Sequence, residues 1–187
     1  MLSLPESPLW DFSIRVYALP DVADACLSLQ DEQGADINMV FFCLWISRHK
    51  DGRLSRTQLE QFLADVTDWQ HQVVKPLRAL RRELKEAKSV LPLEFRELVR
   101  STIKRAELES EHAEQIFLAG LVTATSESER PSPEAAAMDA AENLAQYLSL
   151  LKVRSSTAIR EKVEVLLSAT FPDVPREKIA ILARYET

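Results

Sequence analysis

Apolar positions recur along most of this chain with the three-and-four spacing of amphipathic helices, and over residues 37–46 they fill every face. Ser7 and Pro8 offer an N-cap and a first-turn proline to the first apolar segment. Trp10, Phe12, Ile14 and Val16 alternate there, which also suits a strand, but the chain holds no second convincing strand to pair with it, and a helix is predicted. Pro20 and Asp21 open a second helix with Val22, Ala25, Cys26 and Leu29 on one face, and Gly34 is placed to end it in the left-handed conformation. Asp36 can cap a third helix from Ile37 to about residue 49, and a helix apolar all round is a buried one. This is the expected centre of the fold.

After the turn Lys50-Asp51-Gly52, the capping-box pattern Ser55-Arg56-Thr57-Gln58 starts a long helix. Its stripe is Leu59, Phe62, Val66, Trp69, Val73, Leu77, Leu80 and Leu84, and Pro76 should kink it. The chain turns at 89–92, and from Leu93 another long helix is expected to bury Phe95, Leu98, Val99, Thr102, Ala106, Ala113, Ile116 and Phe117. The two helices should pair as an antiparallel hairpin. Residues 123–133 (TATSESERPSP) form a Ser/Glu/Pro linker, followed by a helix from Ser132-Pro133-Glu134 to about 153 and shorter helices near 156–169 and 176–185. The expected fold is an all-α, single-domain multi-helix bundle with a buried central helix and a long antiparallel hairpin. Its expected parts are a helical core over 1–122, the linker 123–133, and C-terminal helices over 134–187 packing on the core. No internal repeat is found.

Composition sharpens this picture. A chain of 187 residues can bury a full hydrophobic core without disulfide or metal staples, and 46% hydrophobic residues with 3 glycines suit a helical protein. The net charge of −6 argues against nucleic acid and anionic membranes as general partners. The longest apolar stretch, residues 39–46, is less than half the ~20 residues that span a bilayer. The opening MLSLPESPLWDFS carries no basic segment and apolar core of a secretory leader. Cys26 and Cys43 sit in apolar sequence without CxxC spacing, as buried reduced thiols do, and a cytoplasmic location is expected.

The order Trp10, Phe12, Tyr17, Pro20, Val22, then Cys26-Leu27, Leu29-Gln30-Asp31, Gly34-Ala35-Asp36, Asn38 and Phe42-Cys43-Leu44-Trp45, resembles an uncharacterised proteobacterial family of small cytoplasmic proteins. The resemblance covers the first third to half of the chain and implies a bacterial, proteobacterial origin. It implies no activity, cofactor or catalytic residue.

Candidate chemistry is sparse. Asp31, Asp36 and Asn38 surround Gly34 as a cation site would, but their spacing fails the EF-hand pattern, and helix ending, capping and first-turn hydrogen bonding account for them better. Asn38 shares a face with Phe41, Phe42 and Trp45 and is expected to be a buried polar group that needs a partner. Asp68-x-x-His71 and Glu109-x-x-His112 have the spacing of di-iron bundle ligands, yet Asp68 and His71 fall about 140° to 200° from their stripe at ~100° per residue. No metal or cofactor is expected. The three histidines sit in polar, surface-like contexts, no Gly-rich phosphate loop occurs, and neither thiol has a cationic neighbour in sequence, so no catalytic residue is assigned.

Residues 75–105 carry ten basic side chains against Glu83, Glu86, Glu94 and Glu97, an excess of six that leaves the rest of the chain at −12. Helical phasing groups Arg78, Arg82 and Lys85 away from the apolar stripe, and with Arg96 and Arg100 they form the expected docking surface for an acidic protein partner. The alternative for these charges is a solvated face that pairs with Glu107, Glu109, Glu111 and Glu114. A non-enzymatic interaction or regulatory protein is therefore the leading functional expectation. The alternative is a small-molecule binder or enzyme with a pocket walled by Trp10, Tyr17, Phe41 and Trp45.

Overall fold

The computed structural model describes residues 4–86, 91–122 and 130–184, and those residues form an all-α single domain. The parts of the expected hairpin turn at 89–90, of the linker at 123–129 and of the last helix at Tyr185 lie outside the described residues. Ser7 caps α1 (Pro8–Tyr17) by accepting from the Trp10 amide, and α2 (Val22–Gln33) ends at Gly34 with φ +71°, as the left-handed C-cap requires. The Asp36 carboxylate accepts from the Asn38 amide at 2.9 Å and starts α3 (Ile37–Ile46). That helix stops with its apolar run at Ile46 rather than near residue 49, and residues 47–51 form turns and a bend. All but its first residue are buried, and Met39, Val40, Phe42, Cys43 and Leu44 are 0% exposed.

The capping box at Ser55 and Gln58 starts α4 (Arg56–Trp69). Where a kink at Pro76 was expected, a π-helical turn, Gln70–Val74, stands just before the proline, and α5 (Lys75–Glu86) continues beyond. Pro76 has no N–H for the Gln72 carbonyl, and the ladder widens upstream, with the Lys75 amide bonding to the Gln70 carbonyl five residues back. The extra residue rotates the chain, so Gln70 and Val74 face inward where Trp69 and Val73 were expected, and Trp69 is 41% exposed.

A larger correction concerns α6 (Leu93–Gly120). The expected inward stripe turns largely outward, leaving Phe95, Leu98, Val99, Thr102 and Phe117 exposed and Ala106, Ala113 and Ile116 half-buried, while Glu107, Ser110, Glu114, Gln115 and Leu118 are buried. Hydrophobic periodicity misses such a face because it is polar and satisfied by partners on other helices.

α7 (Pro133–Leu150), α8 (Thr157–Thr170) and α9 (Arg176–Leu182) complete the bundle: α7 lies along α3, α8 along α2, and α5 pairs with α6. Asn143 on α7 pins the α3–α4 connection. Its Oδ1 accepts from the Leu54 amide at 2.8 Å, and its Nδ2 donates to the Gly52 and Cys43 carbonyls at 2.9 and 3.3 Å. Gly52 passes so close beneath α3 that a Cβ would lie 2.2 Å from the Ile46 carbonyl oxygen. Among the described residues no helix is long and apolar enough to cross a membrane.

Gly52→Ala must therefore push backbone against backbone and is expected to cost about 1–3 kcal/mol, as overpacking does. Urea unfolding checks this, and an unchanged midpoint would show that the turn is free to move.

Candidate functional site

Where α3 begins, the polar face of α6 meets the π turn and α7, and a chain of buried polar groups crosses the bundle. Asp36 and Glu114 bring their carboxyl groups close together at its centre, where each acts on the other's proton affinity. Gln70 Nε2 donates to Glu114 Oε2 at 2.6 Å, the Asn38 side chain and the Met39 amide add weaker hydrogen-bond support to Glu114 and Asp36, and Glu114 Oε1 and Asp36 Oδ2 are buried facing groups that leave them short of a well-placed donor. One proton held between those two oxygens satisfies both, whereas two adjacent carboxylates out of water would repel. Burial, then the Asp36 charge, pushes Glu114 up to about 10, so it is the protonated member at neutral pH. Burial also raises Asp36, against the hydrogen bonds and the Arg78 charge that favour its ionised form.

The chain continues in both directions. Gln115 Nε2 donates to Asn38 Oδ1 at 2.8 Å, and the Ser13 hydroxyl reaches Gln115 Oε1 at 2.9 Å, tying α1 and α3 to α6. On the other side the Tyr147 hydroxyl accepts from the Asp36 amide at 2.7 Å and reaches back to the Asp36 carbonyl at 3.3 Å. Farther along α6, Arg78 donates to Glu107 at 3.0 Å and to Glu111 at 2.5 Å, and Arg81 also grips Glu107. Burial works against the charge on Glu107, but the two arginines outweigh it and hold its carboxyl below the usual range.

The residues singled out in the sequence are thus dispersed. Asp31 stands apart from Asp36 and Asn38, in keeping with the helix-end and capping roles preferred over a cation site. It pairs at the surface with Arg82 at 2.6 Å, and that hydrogen bond lowers its carboxyl, while Asp36 and Asn38 point into the bundle. Arg78 is the correction among the basic residues: its side chain is only 15% exposed and is committed to Glu107 and Glu111, so it does not face outward with Arg82 and Lys85. Arg100 pairs with Glu97 at 2.9 Å, Arg96 is half-buried, and Lys85 is exposed beside Glu86. Asp68, His71 and Glu109 lie on exposed faces, and His112 stacks on Trp10 with ring centres 4.5 Å apart.

The expected aromatic pocket is rearranged as well. Trp10 is taken up by His112, Tyr17 is 40% exposed and tilts against Phe41, and Trp45 packs on Phe42 and His49. Of the four expected walls only Trp45 lines the cleft of about 770 Å³ that opens between α1, the end of α3 and the end of α6. Cys26 and Cys43 are buried free thiols, and burial raises Cys26 to about 12, which leaves it protonated. Sequence reasoning passed over Gln70, Ser110, Gln115, Asn143 and Tyr147. The available signal was the spacing of Glu107, Ser110, Glu114 and Leu118, which repeats at helical period although three of the four are polar.

A family model described as "Protein of unknown function (DUF2390)" matches residues 8–118. No curated protein and no solved structure matches the chain.

The proton held by Glu114 makes stability pH-dependent. An ordinary glutamate, at 4.5, releases it in the unfolded chain, while the folded chain keeps it to about 10. Its contribution is therefore complete at acid pH and falls by up to about 1.4 kcal/mol per pH unit as pH rises between those values. Glu114→Gln supplies a permanent donor to Asp36 and an acceptor to Gln70. Urea titrations at pH 5 to 9 are expected to show a flatter stability profile for the variant, and parallel profiles would refute the shared proton.

Proposed function

The chain belongs to the DUF2390 family of proteins of unknown function, and we propose that it is a non-enzymatic interaction protein that docks an acidic, amphipathic helix on the tip of its α5–α6 hairpin. The observation that carries this reading is the outward apolar stripe of α6. Phe95, Leu98 and Val99, at i, i+3 and i+4, are 55%, 68% and 51% exposed, and Leu91 at 57% extends the stripe before the first turn. An isolated exposed leucine means little, but one helical face with its apolar side turned to water is a surface shaped for another helix.

Charge supports the choice of occupant. Arg78 and Arg81 are neutralised inside the hairpin, yet Arg82, Lys85, Lys104 and Arg105 remain on its surface, within the basic region of a chain that is otherwise acidic. Acidic residues along the margins of a partner helix would meet these side chains while its apolar face covered Leu98. The buried polar chain has a supporting part in this reading, since it holds α6 in the rotation that turns the stripe outward. A bacterial, proteobacterial origin and a cytoplasmic setting belong to the same proposal, the setting supported by two buried free thiols and the origin by the resemblance of residues 10–45.

A synthetic amphipathic peptide with leucines on one face and glutamates at its margins is the probe. It is expected to bind the protein with an affinity that falls as salt rises, since surface charges are screened over about 8 Å at physiological ionic strength. Its lysine counterpart should bind at least tenfold more weakly. Leu98→Glu should abolish binding while shifting stability by no more than about 0.5 kcal/mol, as for other surface changes. Equal binding of the two peptides, or normal binding by Leu98→Glu, would overturn the proposal. Concentration-dependent dimerisation that masks Leu98 would assign the stripe to a second copy instead.

A further inference from the structure

The outward face of α6 does not end at the hairpin tip. Phe95, Val99, Thr102 and Ala106 follow one another at alternating steps of four and three residues, and the same steps lead on to Glu109, Ala113, Ile116 and Gly120. This is the seam of a heptad repeat, kept from near the start of the helix to its last residue. The bundle does not use it: the inward face of α6 is Glu107, Ser110, Glu114 and Leu118, and no member of the seam is buried. On a straight α-helix a seven-residue repeat drifts by ~20° per heptad, so a helix that follows it wraps in a shallow left-handed coil.

Side-chain size varies along the seam. Beyond the large residues of the tip, Thr102, Ala106 and Ala113 leave room for large side chains from outside, and the Thr102 hydroxyl is satisfied by the Leu98 carbonyl at 3.1 Å. Trp69, 41% exposed, is tied to the same stretch of α6 by its bond to the Ser110 carbonyl and walls it. The far end opens into the cleft of about 770 Å³, where Ile116 and Gly120 meet Phe12 and Trp45. Charge changes sign over the same distance. Lys104 and Arg105 stand exposed toward the tip, whereas Glu109 lies in the seam itself, held only loosely by Arg105 at 3.9 Å, and Asp68, the chain neighbour of Trp69, is exposed.

We propose that the docked partner is a single helix of about 25 residues that lies along the whole of α6, roughly 38 Å at ~1.5 Å per residue. Its margins are acidic near the hairpin tip, its large apolar side chains cover Thr102, Ala106 and Ala113, and a lysine or arginine faces Glu109. Its far end seats an apolar side chain in the cleft. This inference rests on the docking reading above and adds to it the partner's length and the reversal of its charge.

Three synthetic peptides test it, with isothermal titration as the readout. The first covers the tip alone, with about 14 residues carrying leucines on one face and glutamates at the margins, or four turns of helix. The other two extend that segment by leucine-and-lysine heptads to about 25 residues, one at each end, because the seam admits either direction. One long peptide is expected to bind at least tenfold more tightly than the short one. Ala113→Glu should remove that increment and leave the short peptide's affinity unchanged, while Leu98→Glu should weaken both. Should Ala113→Glu fail to fold, Phe117→Glu, on the exposed end of the same face, replaces it with the same expected loss. If none of the three peptides binds, the docking reading falls and this inference with it. If the short peptide binds and neither extension tightens it, or if the increment survives the substitution, the long helix is overturned and docking at the tip stands.

Discussion

The close pairing of the buried Asp36 and Glu114 carboxyl groups is the constraint on which the arrangement of this bundle depends. Asp36 must stay near the start of α3 because its carboxylate caps that helix, and α3 must stay central because almost every side chain on it is apolar. A buried capping carboxylate with a free oxygen needs a donor. Glu114 supplies one by keeping its proton, which fixes both the height and the rotation of α6 against α3. The cost is a proton that the solvent would otherwise take at neutral pH; the return is a unique docking of two helices whose other contacts would tolerate several.

The π turn follows from the same geometry. Gln70 reaches Glu114 only because the extra residue in that turn rotates it inward, and Trp69, moved to the edge by the same rotation, donates its indole N–H to the Ser110 carbonyl at 3.0 Å. The hairpin then continues with arginines where a hydrophobic seam would be usual. Arg78 and Arg81 close on Glu107 and Glu111, and such pairs specify rotation more than they stabilise. A seam made of charges leaves the apolar side of α6 without an internal partner, so the outward stripe near Leu98 and the inward polar face have one cause.

The matched family region, residues 8–118, contains the carboxyl pair, the π turn and the hairpin, but it does not close the structure around them. Tyr147 and Asn143, both on α7, satisfy the backbone at Asp36 and along the α3–α4 connection. Ala136, Ala137, Ala140 and Ala141 let α7 sit close against the bundle. The C-terminal helices thus complete a core that begins in the family region, and their small residues matter for approach as much as their polar ones do for pairing.

The amino-acid sequence by itself determined the helical class, the buried α3, the Ser7, Asp36 and Ser55 caps, and the glycine end of α2. Each of these is a local matter of period or of a side chain reaching its own backbone a few residues away. The need of Asn38 for a buried partner was legible too, although the partner was not. What only the tertiary structure decided is which face of α6 turns inward, where the long hairpin arm gains its extra residue, and which charges pair across it. Those outcomes depend on whether a polar group meets its complement on another helix, as Gln70 meets Glu114 and Arg78 meets Glu107 and Glu111, and hydrophobic periodicity carries no record of such meetings.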